Sequence, residues 1–251
     1  MLRGLIHGIL GKFGYDVIST RGRYASDGLF TLHSDRFRED PAFRRAYARG
    51  VRAGWGYDPR FTWRVHVALW AAKAALRVPG DFVECGVNAG FISSAIMEYL
   101  DWRNVDKKFY LVDTFTGPVF LQYSAAEVAA GRVEAARNAL AAGAYVTDLE
   151  RVQANFAEWP SAIVVQGTVP DVLPRLPVSS VALLHIDLNC AGPERAALEY
   201  FWDRLSPGAL VLFDDYTYFG QQCQGDAIDE AARQLGATVL SLPTGQGLII
   251  K

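Results

Sequence analysis

The chain has 251 residues, 51% of them apolar, with 25 basic and 27 acidic side chains for a net charge of -2. That length and composition suit one α/β domain with a sizeable core, and the balanced charge argues against attraction to nucleic acid or anionic lipid. Three widely spaced cysteines, Cys85, Cys190 and Cys223, form no C-x-x-C pair, which argues against a disulfide framework or a thiolate zinc site and points to the reducing cytoplasm.

Residues 1–18 are mildly amphipathic and lack both a continuous apolar core and a small-residue cleavage site. They read as a short helix packed on the domain, or on a second subunit of a homo-oligomer, rather than as a signal peptide. No apolar stretch reaches bilayer length, so no stable membrane association is expected. Residues 1–60 form an irregular extension with one clear helical pattern at 41–51. Its arginines (Arg36, Arg38, Arg44, Arg45, Arg49, Arg52) alternate with acids and read first as a solvated face, with an anion-binding face as the alternative.

Residues 61–251 are regular. An amphipathic helix over 62–76 ends at Pro79-Gly80. Apolar runs follow at 81–87, 108–115, 161–167, 180–187 and 209–215, each bounded by turn residues, as in parallel strands buried on both faces. Helical patterns between them, notably 91–100 and 193–205, predict a Rossmann-like, doubly wound α/β sheet with right-handed crossovers. After a helix at 226–235, extended segments at 237–243 and 246–251 flank Thr244-Gly245 and should pair as an antiparallel hairpin. The expected architecture is a mostly parallel seven-stranded sheet ending in that hairpin, the layout of class I methyltransferases.

Ligands of an open α/β sheet bind beyond the carboxyl ends of the strands, near the switch in strand order. The first strand of the sheet ends Glu84-Cys85-Gly86-Val87-Asn88-Ala89-Gly90 and runs into a helix, and Gly86 and Gly90 would let the backbone approach a ligand closely. The next strand ends at Asp113, where an acid accepts hydrogen bonds from ribose hydroxyls. A turn-forming role is the alternative there.

Two later strands also end in acids, Asp187 and the pair Asp214-Asp215. If these strands are neighbours, three carboxylates converge and raise each other's pKa unless a cation compensates; a turn-capping role before Tyr216 is the alternative for one Asp of the pair. An all-oxygen donor set suits Mg²⁺ or another divalent cation, which would acidify an acceptor hydroxyl. Asp187 is then a candidate proton acceptor as well as a ligand. His185, two residues earlier on the same strand face, is a second catalytic candidate, with an interior structural histidine as the alternative.

The segments FVECGVNAG, FYLVDTFTGP, NFAEWPSAIVVQGTVPDVLPRLP, LLHIDLN, LSPGALVLFDDY and LPTGQGLII, spread over residues 62–251, resemble the macrocin/mycinamicin/novobiocin-type (TylF-like) O-methyltransferases, which are metal-dependent class I enzymes. The resemblance implies S-adenosylmethionine as cofactor. Its methionine part would lie against Glu84, Cys85, Gly86, Asn88 and Gly90, its ribose against Asp113 and Thr114, and its adenine near Gln166 and Gly167. It also implies metal binding by Asp187, Asp214 and Asp215.

The chain departs from sugar-methylating relatives after Asp187. They continue Gly-Asp and then a Tyr-Glu-Ser-Thr-like run, whereas this chain reads Leu188-Asn189-Cys190-Ala191-Gly192-Pro193, and His185 stands where arginine is commoner. The resemblance therefore implies the reaction more firmly than a sugar acceptor. Asn189 is a candidate for orienting the acceptor or a metal-bound water.

Residues 116–160 exceed what one crossover needs and read as a lid, with helical stretches at 124–142 and 147–157. Tyr123, Tyr145 and Trp159, with Trp55 and Tyr57, are candidates to line an acceptor cleft, or else to pack. The expected function is methylation of a hydroxyl on a small molecule such as a glycosylated natural product. The alternatives are an NAD(P)-dependent oxidoreductase, disfavoured because the glycine spacing is not G-x-G-x-x-G, and a non-catalytic nucleoside-binding protein.

Overall fold

A computed structural model describes residues 10–15 and 19–251. The amphipathic segment expected over 1–18 falls mostly outside them. The described chain opens with a hairpin, β1 (Tyr24–Ser26) and β2 (Leu29–Thr31), followed by α1 (Pro41–Ala53) and α2 (Thr62–Ala75). Asp40 caps α1 by accepting from the Ala42 amide at 2.8 Å, and Pro41 supplies a first helical residue that needs no donor.

Next come β3 (Asp81–Cys85), α3 (Phe91–Tyr99), β4 (Phe109–Asp113), the helices α4 (Ala125–Ala129), α5 (Arg132–Ala141) and α6 (Leu149–Phe156), and β5 (Ala162–Gln166). The chain ends with β6 (Val181–Ile186), α7 (Ala191–Phe201), β7 (Leu205–Phe213), α8 (Gln222–Gln234), β8 (Leu240–Ser241) and β9 (Gly247–Ile250). β3 to β9 form a seven-stranded sheet in the order β5-β4-β3-β6-β7-β9-β8. β3 to β7 run parallel, and β9 is antiparallel to both β7 and β8. This is the doubly wound sheet with a terminal hairpin that the sequence predicts.

Alternate residues of each strand feed different layers. Phe82, Phe109, Leu111, Leu183 and Leu212 pack with α1, α2 and α3. Val83, Cys85, Val112, Ile186 and Phe213 pack with α7 and α8 on the other face. The order switches between β3 and β6, so the loops after these two strands part there and open a cleft.

Three expectations are redrawn. The helical stretch at 124–142 is two helices, because Gly131 takes a left-handed φ of 75° between α4 and α5. The helix expected to Leu205 stops at Phe201, a 3₁₀ turn takes 202–204, and Leu205 already begins β7. The hairpin β1-β2 was not anticipated, although Asp27-Gly28 with left-handed φ values of 53° and 70° is a strong two-residue hairpin turn.

Candidate active site

Glu84 on β3 and His185 on β6 are cross-strand partners and project toward α2. His185 Nδ1 lies 2.9 Å from Glu84 Oε1, with both residues almost fully buried. Its Nε2 stands 3.9 Å from Asp214 Oδ1 at the end of β7, beyond hydrogen-bond reach. Burial opposes the imidazolium, but the Asp214 and Glu84 carboxylates outweigh it and push the pKa up to about 10. Fully buried, paired to Glu84 and absent from the lining of either cavity beside it, His185 fits the interior structural alternative.

Asp187 follows β6, and Asp214-Asp215 follow the neighbouring β7, just beyond the paired residues Ile186 and Phe213. Among the described residues, however, no group of three or more His, Cys, Asp or Glu side chains is arranged to hold a metal ion. Arg64, in the first turn of α2, stands among the acids. Its Nη2 donates to Asp214 Oδ2, to Asp215 Oδ1 at 2.8 Å and to the Asp214 carbonyl at 3.1 Å. Its Nη1 lies 3.8 Å from Asp27 at the tip of the β1-β2 hairpin, and Asp27 also accepts from the Tyr218 hydroxyl at 3.1 Å.

Gln246 completes the shell of Asp214, donating to Oδ1 at 2.8 Å. Burial alone would raise the Asp214 pKa, yet Arg64, His185 and Gln246 hold it well below the usual carboxylate range. Asp215 shifts the other way. Burial, reinforced by Asp214 and opposed by Arg64, leaves it at about 6. Asp187 is also pushed well up, by burial first and then by Asp214 and Asp215. The Asn189 amide donates to Asp187 Oδ1 at 3.0 Å.

Asp113 ends β4, and both its oxygens serve the chain. Oδ2 accepts from the amides of Val87 and Asn88, each at 2.8 Å, and Oδ1 accepts from Phe115 N at 2.9 Å and Thr114 Oγ1 at 3.3 Å. Asp113 thus holds the loop after β3 against the end of β4, which is the turn-organising alternative. It also lines the cleft.

The glycines make room for protein close by. A β-carbon on Gly86 (φ 92°) would overlap the carbonyl of Asp187, and one on Gly90 (φ 82°) would enter the Phe156 ring of α6. Gly86 is what lets the ends of β3 and β6 touch.

The cleft has two lobes that share Gly86, Asn88, Val146 and Asp187. One lies over β4 and β5 and is lined by Asp113, Thr114, Gly167, Tyr145 and Asn189. The other encloses about 550 Å³ beside Glu84, Asp214, Trp55, Tyr57, Phe61 and Phe91. Asn88 is left-handed (φ 49°), and its side chain clamps the lid from above, donating to Ala144 O at 2.8 Å and accepting from Val146 N at 2.9 Å.

The remaining expected residues divide. The Cys85 side chain points to the far face of the sheet and lies in the core, fully buried among Val83, Val112 and Ile186. Gln166 is exposed and donates to the Thr114 carbonyl at 3.1 Å, leaving Gly167 to line the cleft. Tyr123 packs with Ala136 and Cys190, and Trp159 is buried beneath the Arg49 guanidinium.

Sequence reasoning missed Arg64, Asp27 and Gln246. The signal for Arg64 was present, because it shares helical spacing with Ala68, Ala71 and Ala75, the buried face of α2. It also missed Glu194 on α7, whose Oε1 accepts from Leu188 N at 3.2 Å and from Gln224 at 2.8 Å. Burial, reinforced by Asp215, raises the Glu194 carboxyl to about 8.

The profile of the macrocin-O-methyltransferase (TylF) family matches residues 66–238. The chain belongs to this family. It is 30% identical over 148 residues to the 8-demethyl-8-(2,3-dimethoxy-alpha-L-rhamnosyl)-tetracenomycin-C 4'-O-methyltransferase of Streptomyces olivaceus, covering 55% of this chain and 54% of that protein. It is 29% identical over 154 residues to the mycinamicin III 3''-O-methyltransferase of Micromonospora griseorubida, covering 57% of this chain and 59% of the relative. The match thus spans little more than half the length of these curated relatives. The O-methyltransferase NovP superimposes with a TM-score of 0.63 at 22% identity, covering 86% of this chain and 93% of NovP. A calicheamicin methyltransferase superimposes with a TM-score of 0.53 at 17% identity, covering 94% and 98%. These likenesses establish the class I methyltransferase fold. Membership of the family disfavours the oxidoreductase alternative.

Proposed function

We propose that the protein transfers the methyl group of S-adenosylmethionine to a hydroxyl of a small, glycosylated acceptor in the cytoplasm. The observation that carries this reading is the shared cleft, where the loop held by Asp113 and the acids after β6 and β7 meet at Asp187. Glu84, Asp113, Asp187 and Asp214 line the cleft, with Arg64 paired to Asp214 and Asp215 behind them. That surplus of negative charge suits the sulfonium and ammonium groups of the cofactor.

Arg64 already engages Asp214 and Asp215, so a divalent cation there would be held chiefly by Asp187, with Asp215 Oδ2, which accepts from Gln221 at 3.4 Å. Such a cation would acidify the acceptor hydroxyl, and the cofactor supplies an electrophilic methyl group. The chain itself does the rest. Asp187, whose Oδ1 accepts from Asn189, takes the hydroxyl proton once bound positive charge offsets the burial that raises its carboxyl. Arg64 and Gln246 keep Asp214 ionised beside it. The Asn88 clamp draws Tyr145 and Val146 over the cleft and excludes water.

Calorimetry with S-adenosylhomocysteine, and turnover on a panel of hydroxylated glycosides in EDTA and in Mg²⁺, test the proposal. Binding of S-adenosylhomocysteine, turnover that needs Mg²⁺, and an Asp187→Asn variant that binds but does not turn over are the expected results. Absence of S-adenosylhomocysteine binding would sink the reading as a whole, and full turnover in EDTA would remove its cation.

A further inference from the structure

Residues 57–62 form a wall with two faces. Tyr57, Pro59 and Phe61 face the cleft beside Asp187, while Asp58, Arg60 and Thr62 face a second cavity of about 610 Å³ behind it. This second cavity lies between the β1-β2 hairpin and α1 and carries four arginines, Arg23, Arg38, Arg44 and Arg60.

Its one lining acid is already engaged. Asp58 Oδ1 accepts from the Tyr47 hydroxyl at 2.5 Å and from the Arg60 amide at 2.8 Å. Arg38 pairs with Asp35 at 2.7 Å, and among the described residues Arg44 uses only its Nε, toward the Arg38 carbonyl at 3.0 Å. Arg23 and Arg60 make no ion pair among the described residues. Arg60 sits in the left-handed region (φ 58°), a costly conformation for a side-chain-bearing residue. It is held there by the bond from its amide to Asp58 and by the Tyr24 hydroxyl, which donates to its carbonyl at 3.2 Å.

We infer that this cavity is a binding site for a phosphorylated small molecule. Forked guanidinium donors match phosphoryl oxygens in pairs, which is why converging arginines select phosphate over singly charged anions. The volume exceeds one phosphate and leaves room for an organic remainder along Phe43, Ala48 and Val51. The site stands independently of methyl transfer. Its phosphate belongs either to an acceptor that reaches around the 57–62 wall or to a separate ligand.

The test is titration of the full chain with pyrophosphate and with a nucleoside-diphosphate sugar, read by calorimetry and melting temperature, with NaCl at matched ionic strength as control. Arg44→Ala should weaken pyrophosphate binding at least tenfold. Arg60→Asn, which tolerates the left-handed backbone, should do the same. Arg45→Ala, on α1 outside the cavity, should leave it unchanged. S-adenosylhomocysteine affinity should be equal in all of them, which separates this site from the catalytic cleft and reports an intact fold. Sugar-nucleotide binding strengthened by S-adenosylhomocysteine would assign the phosphate to the acceptor. Binding indifferent to it would assign a separate ligand, and either result upholds the site. A pyrophosphate effect no larger than that of NaCl, or one untouched by Arg44→Ala and Arg60→Asn, overturns it.

Discussion

Arg64 Nη2 lies 2.8 Å from Asp215 Oδ1, joining the first turn of α2 to the end of β7 across 151 positions of sequence. The same nitrogen bonds Asp214, so one guanidinium neutralises part of a buried acid cluster that would otherwise repel itself. Removing one member of a buried ion pair strands the charge left behind, at a cost of about 3–5 kcal/mol. Arg64→Met should therefore lower the melting temperature sharply in EDTA. Mg²⁺ should restore more of the loss in this variant than it adds to the wild type, because the freed carboxylates become donors. An unchanged melting temperature would mean that Arg64 does not carry the cluster.

Asp113 ties two amides of the loop after β3 to the end of β4, so substituting it should disturb the loop as well as the proposed cofactor contact. Asp113→Ala deletes charge-assisted hydrogen bonds worth about 1.5–3 kcal/mol each. Affinity for S-adenosylhomocysteine should fall at least tenfold, and the melting temperature should fall with it. Loss of affinity with full thermal stability would show that the carboxylate does not hold the loop.

The Asn88 clamp predicts a change in motion with little change in stability. Asn88→Gly keeps the left-handed backbone and removes the two bonds to Ala144 and Val146. Each such bond contributes about 1 kcal/mol, so amide exchange at Val146 should accelerate on the order of tenfold. Exchange as slow as in the wild type would assign closure of the lid to other contacts, such as Glu127, which accepts from Ala191 N at 2.9 Å.

Glu194 predicts how stability changes with pH. Its carboxyl is raised to about 8 in the folded chain by burial and by Asp215, against an ordinary value of 4.5. Between those values the folded chain holds a proton that the unfolded chain has released. The contribution is complete below the unfolded value and is lost as pH rises through the folded one. Stability should fall over that window by up to about 1.4 kcal/mol per pH unit from this group. Glu194→Gln, which keeps an acceptor for Leu188 and Gln224, should flatten the decline. Equal slopes in both proteins would mean that Glu194 does not titrate there.

Much of the fold could be read from the chain alone. A strand buried on both faces must be continuously apolar, so runs such as VALLHI and FYLVD announced β6 and β4, and Thr244-Gly245 announced the terminal hairpin. The acids at the strand ends were visible for the same reason, since each punctuates its own apolar run. What the tertiary structure decided was how groups far apart in sequence are partnered. Local periodicity cannot say that Arg64 meets Asp214 across 150 positions, that Gly86 exists to admit the Asp187 carbonyl, or that His185 is locked to Glu84. Charge compensation and close backbone contact depend on which elements become neighbours, and that emerges only when the sheet is assembled and its helices are laid upon it.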